Sequence, residues 1–328
     1  MAHSPAGLRR RDLALGALGA LSLPALAQDN WPARPVRVIV PSSPGGGTDV
    51  FGRLLAQALT DQLKQNFVVD NKPGASGNIG ADFVAKAEPD GYTILVASNS
   101  SLGINPVLLK SMPFDIERDL QPVSRGVFAP MVYVASPQTG WKTLRDLVEA
   151  GKKQPGALFY GSAGSGSPPY LAVRMLEDAT GAKFTHVPYK GVAPAYGDLL
   201  AGRLQFMYAD VATIDQHIKA GKVVPLAVNQ KTPVLPNVPT MADAGFPNLR
   251  APTSFSVMAP AKVPQPIIRK LSAEVNRALR NPAVVQRLEQ QALVPVIDTP
   301  EEFAADLRRE REHWAQFIKK ANIQPEGQ

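Results

Sequence analysis

The stretch from Val36 to Asp49 reads VRVIVPSSPGGGTD, and it decides how the surrounding chain folds. It opens with a short apolar run of the kind found in buried strands, and Pro and Gly then end that run. From Phe51 to Leu63 apolar residues recur at helical spacing, which predicts an amphipathic helix. The stretch therefore predicts a strand, a glycine-rich turn and a helix, the opening unit of an α/β fold.

The three consecutive glycines in this turn, Gly45 to Gly47, predict an anion site. Without a Cβ in the way, their main-chain N–H groups can converge on one point. The N-terminus of the following helix adds a partial positive charge, and open α/β sheets bind ligands at this edge. A carboxylate or a phosphate could be held there without a Lys or Arg side chain. A plain strand-to-helix turn is the alternative, but it would need fewer glycines.

The first 27 residues have the features of a secretory signal peptide. Three Arg residues at 9–11 precede an apolar run from Leu13 to Ala27, which ends in Ala-Leu-Ala. We expect cleavage after Ala27 and export to the periplasm by the general secretory route or the twin-arginine route. The apolar run is too short to serve as a membrane anchor.

Composition restricts the classes of function. The chain has 328 residues, which favours two domains, and no Cys, which excludes disulfides and thiolate chemistry. Loss of three Arg and one Asp with the signal peptide lowers the formal net charge from +7 to +5. The remaining charges are interspersed and no nucleic-acid motif accompanies them. We therefore expect no nucleic-acid partner; we also expect the protein to be a monomer.

Strand and helix patterns alternate in two separate parts of the chain. Two extended segments, 122–136 and 253–260, are predicted to cross between these parts. Domain one is accordingly predicted at 31–124 and 253–328, and domain two at 125–252. The expected fold is α/β with two domains and a hinge of crossing strands.

A second loop in the predicted domain two mirrors the first. Residues 161–169 read GSAGSGSPP; they follow a predicted strand and precede a helix that starts near Pro168 or Pro169. Two such loops facing each other across a cleft describe a receptor that closes on its ligand by a hinge.

A secreted, esterase-like serine hydrolase is the alternative. A loop Ser together with His186 could supply a nucleophile and a base, although no Ser lies in a G-x-S-x-G elbow. The sequence also lacks Cys, an H-x-x-x-H pair, an EF-hand loop and a Walker A motif. We therefore expect no catalytic residues, no cofactor and no metal.

Six motifs follow one another along the mature chain. They are PGGGTD at 44–49, NKPG at 71–74, GNIG at 77–80, PDGYT at 89–93, GSGS at 164–167 and VPYKG at 187–191. Together they resemble the extracytoplasmic receptors of tripartite tricarboxylate transporters, also called Bug-type receptors. The resemblance implies a type II periplasmic-binding-protein fold, a small carboxylate ligand held largely by main-chain amides and waters, and membrane permease subunits as partners. Asp70 stands where the family usually has Glu, which is a conservative change. Tyr170 and Phe255 stand where the family usually has His and Trp, which leaves the identity of the ligand open.

We predict that the ligand lies between the two loops and the ends of two strands. The candidate ligand-binding residues are Ser43, Gly46, Gly47, Thr48, Asp49, Ser98, Asn99, Ser162, Ser165, Gly166, Ser167 and Asp210. Phe255 and Tyr170 are candidate apolar walls, with core packing as the alternative. Arg53 lies about one helical turn beyond Asp49, so it either pairs with that carboxylate or reaches the ligand.

Overall fold

The computed structural model describes residues 31–249, 251 and 253–324. The predicted signal peptide at 1–27 and its cleavage site lie outside these residues. Two β-sheets with helices packed against them organise the described part of the chain. This arrangement confirms the predicted α/β class.

The two sheets are built from strands that come from the whole of the described chain. The strands are β1 (Val36–Val40), β2 (Phe67–Asn71), β3 (Thr93–Ser98), β4 (Leu120–Ala129), β5 (Met131–Ala135), β6 (Phe159–Ser162), β7 (Thr185–Pro188), β8 (Phe206–Asp210), β9 (Val224–Val228), β10 (Thr253–Pro260) and β11 (Val294–Pro295). The six-stranded sheet has the order β11-β4-β10-β3-β1-β2, and the five-stranded sheet has the order β7-β6-β8-β5-β9.

The helices fall between these strands. They are α1 (Gly47–Leu63), α2 (Asn78–Ala85), α3 (Asn105–Leu108), α4 (Ile116–Asp119), α5 (Leu144–Lys153), α6 (Pro168–Thr180), α7 (Val192–Leu200), α8 (Val211–Lys219), α9 (Gln265–Arg280), α10 (Pro282–Gln290) and α11 (Pro300–Lys320). No helix within the described ranges is both long enough and apolar enough to cross a membrane.

The predicted opening unit is present. β1 pairs in parallel with both β2 and β3, so β1, α1, β2, α2 and β3 form consecutive βαβ units. Parallel pairing brings the carboxyl ends of β1 and β3 to one edge of the sheet, next to the N-terminus of α1. The buried face of α1, which includes Phe51, Leu55 and Leu59, packs against the same sheet.

The two sheets exchange the chain twice. β4 belongs to the six-stranded sheet and β5 to the five-stranded sheet, with Pro130 between them. The chain returns as β10, which lies antiparallel between β3 and β4. The six-stranded sheet is therefore mixed. The domain limits stay a prediction; β4 continues in the first sheet to Ala129, past the predicted limit at residue 124. Below, the first and second domains are the parts built on the six-stranded and five-stranded sheets.

Helix α11 contacts the cores of both domains. It begins with the predicted capping box, in which Thr299 and Glu302 bond each other's main-chain N–H. Phe303 and Leu307, near its start, pack in the core of the first domain. Trp314 and Ile318, two to three turns later, pack with core residues of the second domain.

Candidate ligand-binding cleft

A cleft lies between the two domains where the predicted loops face each other. Its cavity has a volume of about 60 Å³. Seven of the residues that the sequence analysis proposed as ligand contacts or walls line this cavity. They are Gly46, Gly47, Thr48, Ser98, Ser167, Asp210 and Phe255. Ligand contact by each of them stays a prediction, because the cavity shows proximity alone.

The first glycine loop presents a helix end to the cavity. α1 begins at Gly47, and the residue before it, Gly46, is extended (φ −79°, ψ 162°). Gly46 has no side chain that could cap the helix, and the Gly47 N–H bonds the carboxyl group of Asp210 across the cleft. Main-chain N–H groups at a helix N-terminus need a partner, and an anion can take that place.

Asp49 supports this loop from behind and does not line the cavity. Its carboxylate accepts the Gly45 N–H at 2.9 Å, Arg53 Nε at 3.0 Å and Asn71 Nδ2 at 2.8 Å. Burial alone would raise the pKa of Asp49, but these hydrogen bonds outweigh it and hold the pKa below its ordinary value. Arg53 therefore pairs with Asp49, and the pair fixes the shape of the glycine loop.

The second loop is used differently from the first. Ser167 lines the cavity, and its hydroxyl donates to the Gly164 carbonyl at 2.6 Å. Ser165 and Gly166 lie outside the cavity, in a groove at the outer edge of the contact between the domains. Ser162 is fully buried below the loop. Of the four predicted residues in this loop, the structure brings one to the cavity.

Of the two polar residues predicted at the end of β3, one lines the cavity and the other does not. Ser98 lines the cavity, and its hydroxyl donates to Ser100 Oγ at 3.1 Å. Asn99 is buried and does not line the cavity; its Nδ2 donates to Glu310 Oε1 on α11 at 2.6 Å. β3 ends at Ser98, and Asn99 has helical main-chain angles (φ −64°, ψ 0°), so the side chains of these neighbours point in different directions.

Asp210, at the end of β8, forms part of the cavity wall and faces the first loop. A Cβ added to Gly47 would lie 2.8 Å from its Cγ, so the carboxyl group reaches across the cleft to that glycine. Burial raises the pKa of Asp210 to about 7, and hydrogen bonds from its own N–H and from Gly47 limit the rise. Near neutral pH this carboxyl can therefore carry a proton.

The two candidate aromatic walls have different surroundings. Phe255 lines the cavity and stacks on Phe51 at a centroid distance of 6.3 Å. Tyr170 is buried in the core of the second domain, with its ring 4.8 Å from that of His186. The cavity wall therefore includes Phe255, and Tyr170 packs as a core residue.

Other residues line the cavity that were not among the predicted ligand contacts. They are Pro41, Ser42, Ser76, Gly77, Ser100, Met131, Ala163, Pro168, Pro169, Lys190, Gly191, Val192 and Thr253. Ser42 takes the place predicted for Ser43, whose hydroxyl instead lies against Gly191. Lys190 is an exposed cation at the edge of the cavity. Its place in the VPYKG motif was the one signal that pointed to it.

The serine and histidine required for the hydrolase alternative do lie together. Ser162 Oγ is 2.7 Å from His186 Nε2, within hydrogen-bond reach. The hydroxyl also bonds the main chain of Gly164, and Ser162 has no exposed surface and does not line the cavity. A nucleophile needs access to a substrate carbonyl. This pair therefore holds the base of the second loop in shape.

The described residues contain no group of three or more His, Cys, Asp or Glu side chains that could hold a metal ion. The chemistry of the cleft is that of main-chain N–H groups, hydroxyls, one carboxyl and one ammonium group. Such a set suits binding of a small polar ligand.

Comparison with known proteins places this chain in a family. The family model described as the tripartite tricarboxylate transporter family receptor matches residues 51–323. Protein BugT of Bordetella pertussis is 37% identical over 297 residues, which cover 90% of this chain and 91% of BugT.

Solved structures extend this result to the fold. The periplasmic binding protein BugD has a TM-score of 0.86 and 32% identity, with 90% of this chain and 99% of BugD covered. Rpa4515 of R. palustris, solved with adipate, has a TM-score of 0.87 and 32% identity, with 90% and 99% covered. These structures are periplasmic-binding-protein folds of the predicted type. The chain is therefore a solute-binding receptor of the tripartite tricarboxylate transporter family.

Proposed function

We propose that this receptor captures a small carboxylate in the cleft between its domains and delivers it to a membrane transporter. The observation that carries the proposal is the glycine-rich N-terminus of α1 at Gly46 and Gly47, which lines the cavity and already has a carboxyl group, that of Asp210, bonded to the Gly47 N–H. Main-chain N–H groups and the helix dipole bind an anion at such a site without a paired side-chain cation.

The rest of the lining supports a carboxylate. Thr48 and Ser98 from the first domain and Ser167 from the second line the same cavity. A carboxylate that takes the hydroxyl hydrogens of Ser98 and Ser167 from their present partners, Ser100 and Gly164, would bond both domains and stabilise the closed arrangement. Lys190 at the edge adds a positive charge that would attract an anion. Adipate, bound in the similar structure of Rpa4515, is a carboxylate of this class.

Asp210 adds a condition to this proposal. An ionised carboxylate beside the ligand would repel an anion, whereas a protonated carboxyl could donate a hydrogen bond to it. With the pKa of Asp210 raised to about 7 by burial, the protonated form is accessible near neutral pH. We propose that carboxylate binding favours this protonated form.

A thermal-shift screen tests the proposed ligand class. Ligands that bind only the folded state raise its melting temperature. The screen covers adipate, other mono-, di- and tricarboxylates, amino acids and nicotinate at a fixed pH. We expect stabilisation by carboxylates, followed by titration calorimetry on the best of them. A screen in which no carboxylate stabilises the protein would contradict the proposal.

Export and delivery are also proposed. The signal peptide would be cleaved after Ala27, and the mature monomer would bind permease subunits from the periplasm. The mass of the protein recovered from the periplasm checks the cleavage site. Light scattering of the purified protein with and without adipate checks the monomeric state.

We further propose that the receptor does not catalyse a reaction, although Ser162 and His186 form a hydrogen bond. Ser162→Ala is the direct test, because it removes the only nucleophile that the pair could supply. We expect Ser162→Ala to retain carboxylate binding. We expect neither the variant nor the unsubstituted protein to hydrolyse p-nitrophenyl acetate faster than a serum albumin control. Esterase activity that disappears in Ser162→Ala would support the hydrolase alternative.

A further inference from the structure

The two domains touch at the outer edge of the cleft, beside the cavity. On the first domain the contact is made by Ser76, before α2, and Asn105, at the start of α3. On the second domain it is made by Gly164 and Gly166 in the loop after β6. Apart from Ser76, which also reaches the cavity wall, these residues lie outside the cavity.

Gly166 approaches Asn105 so closely that no side chain fits at this position. A Cβ added to Gly166 would lie 1.6 Å from Asn105 Oδ1 and 2.7 Å from its Cγ. Asn105 is fully buried, and its Nδ2 donates to Asn78 Oδ1 at 2.7 Å and to the Ser76 carbonyl at 3.3 Å. These bonds hold the amide in place, so it cannot swing aside for a larger residue at 166.

Ser76 makes the second contact from a strained main chain. Ala75 and Ser76 have φ values of 47° and 51°, a region that residues with a side chain rarely occupy. The Ser76 hydroxyl donates to the Ala163 carbonyl of the second domain at 3.1 Å. Strained residues persist where surrounding contacts over-determine them. Here the contacts come from the other domain and from Asn105.

We propose that Ser76 and Asn105 form a latch for the loop at 163–166, and that this latch determines how firmly the two domains close over a ligand. Its contacts exist only when the domains are apposed, so they favour the closed arrangement without contact between Asn105 and the ligand. The consequence for ligand affinity rests on the proposed function, whereas the effect on domain closure does not. Asn105 is thus a positioning residue, and Gly166 is its matched partner.

A steric substitution and its compensation test the latch. Gly166→Ala adds the Cβ that collides with Asn105, and Gly166 does not have a positive φ, so its backbone accepts Ala. Asn105→Ala removes the side chain that the new Cβ would meet. Gly197→Ala, on α7 of the same domain, is the matched control, because a Cβ there meets nothing within 4 Å.

Domain closure can be measured without a ligand. The chain has no Cys, so Gln57→Cys on α1 and Glu149→Cys on α5 accept a pair of spin labels at exposed positions. Pulsed electron resonance then reports the distance between the domains. We expect Gly166→Ala to shift the distribution to longer distances and Gly197→Ala to leave it unchanged. Asn105→Ala alone removes one half of the latch and should give a smaller shift, and the double variant should return to that smaller shift. A distribution in Gly166→Ala that matches the Gly197→Ala control would overturn the latch.

Titration calorimetry with adipate gives the second readout. We expect Gly166→Ala to weaken adipate binding by roughly tenfold and the double variant to bind as Asn105→Ala alone does. A double variant that binds no better than Gly166→Ala would show that Gly166 acts by another route and would overturn the pairing. If no protein binds adipate but the distances still shift and recover, the latch stands and the proposed ligand fails.

Discussion

The two glycine-rich loops look alike in sequence and are used in opposite ways. In the first, Gly46 and Gly47 line the cavity at the start of α1. In the second, Gly166 faces Asn105 of the other domain, and Ser167 and two prolines line the cavity. A glycine run therefore indicates that something approaches the main chain closely. It does not indicate whether a ligand or a neighbouring domain makes that approach.

The largest effect is expected from Gly47→Ala. The added Cβ would lie 2.8 Å from both Asp210 Cγ and Phe255 Cζ, inside the cavity wall. We expect adipate affinity, measured by titration calorimetry, to fall by roughly 100-fold. Gly46→Ala is the control, because its nearest non-neighbouring atom would be the Ser43 carbonyl oxygen at 3.4 Å.

Comparison of Gly47→Ala in the first loop with Gly166→Ala in the second tests whether the two loops act independently. Asn105→Ala should improve binding by Gly166→Ala, to the level of Asn105→Ala alone, and leave Gly47→Ala defective, since Asn105 does not line the cavity. Rescue of both glycine variants by Asn105→Ala would mean that the two loops act through one contact, and the distinction drawn here would fail.

The next effect is a dependence of binding on pH through Asp210, which faces the first loop. Because burial raises its pKa to about 7, the protonated form predominates below that pH and the ionised form above it. A carboxylate ligand stays ionised over the same range and is repelled by ionised Asp210. We expect adipate affinity to fall by up to about tenfold per pH unit above pH 7, as measured by calorimetry between pH 6 and 8.

Asp210→Asn is the matched control for this pH dependence. The amide keeps the size of the side chain and a hydrogen-bond donor but cannot ionise. Its adipate affinity should therefore vary little between pH 6 and 8 and stay near the low-pH value of the unsubstituted protein. An unchanged pH profile in this variant would assign the titration to another group.

The smallest effect on binding is expected from Arg53→Gln. Arg53 bonds Asp49 and Asn71 Oδ1 behind the first loop and does not line the cavity. Its side chain is 54% exposed, so we expect a loss of about 0.5–1 kcal/mol in the free energy of unfolding. Adipate affinity should change by less than about twofold. A large loss of affinity with normal stability would mean that the ligand is held by a side-chain ion pair.

The local units of the fold were predictable because their signals are local. The strand, glycine turn and helix at 36–63 and the capping box at Thr299 follow from spacing and cap chemistry. The antiparallel insertion of β10 between β3 and β4 was not predicted. Which strands become neighbours depends on contacts between distant residues, and a single sequence does not display those contacts.

The sequence predicted which loops form the site, but it predicted the individual lining residues less well. Ser98 and Asn99 are neighbours at a strand end, yet only Ser98 lines the cavity. Asp49 belongs to the specific PGGGTD motif, but it braces the loop. Lys190 lines the cavity two residues beyond the end of β7, and apart from the VPYKG motif its local pattern is that of a solvated lysine.

Helix α11 limits how far the two domains can be treated as separate modules. Its early residue Phe303 belongs to the first core, whereas Trp314, with no exposed surface, fills part of the second. A fragment of the second domain cut from the middle of the chain would lack this indole and retain a large void in its core. Exchange of binding specificity between relatives by swapping the middle segment would therefore also require the matching α11.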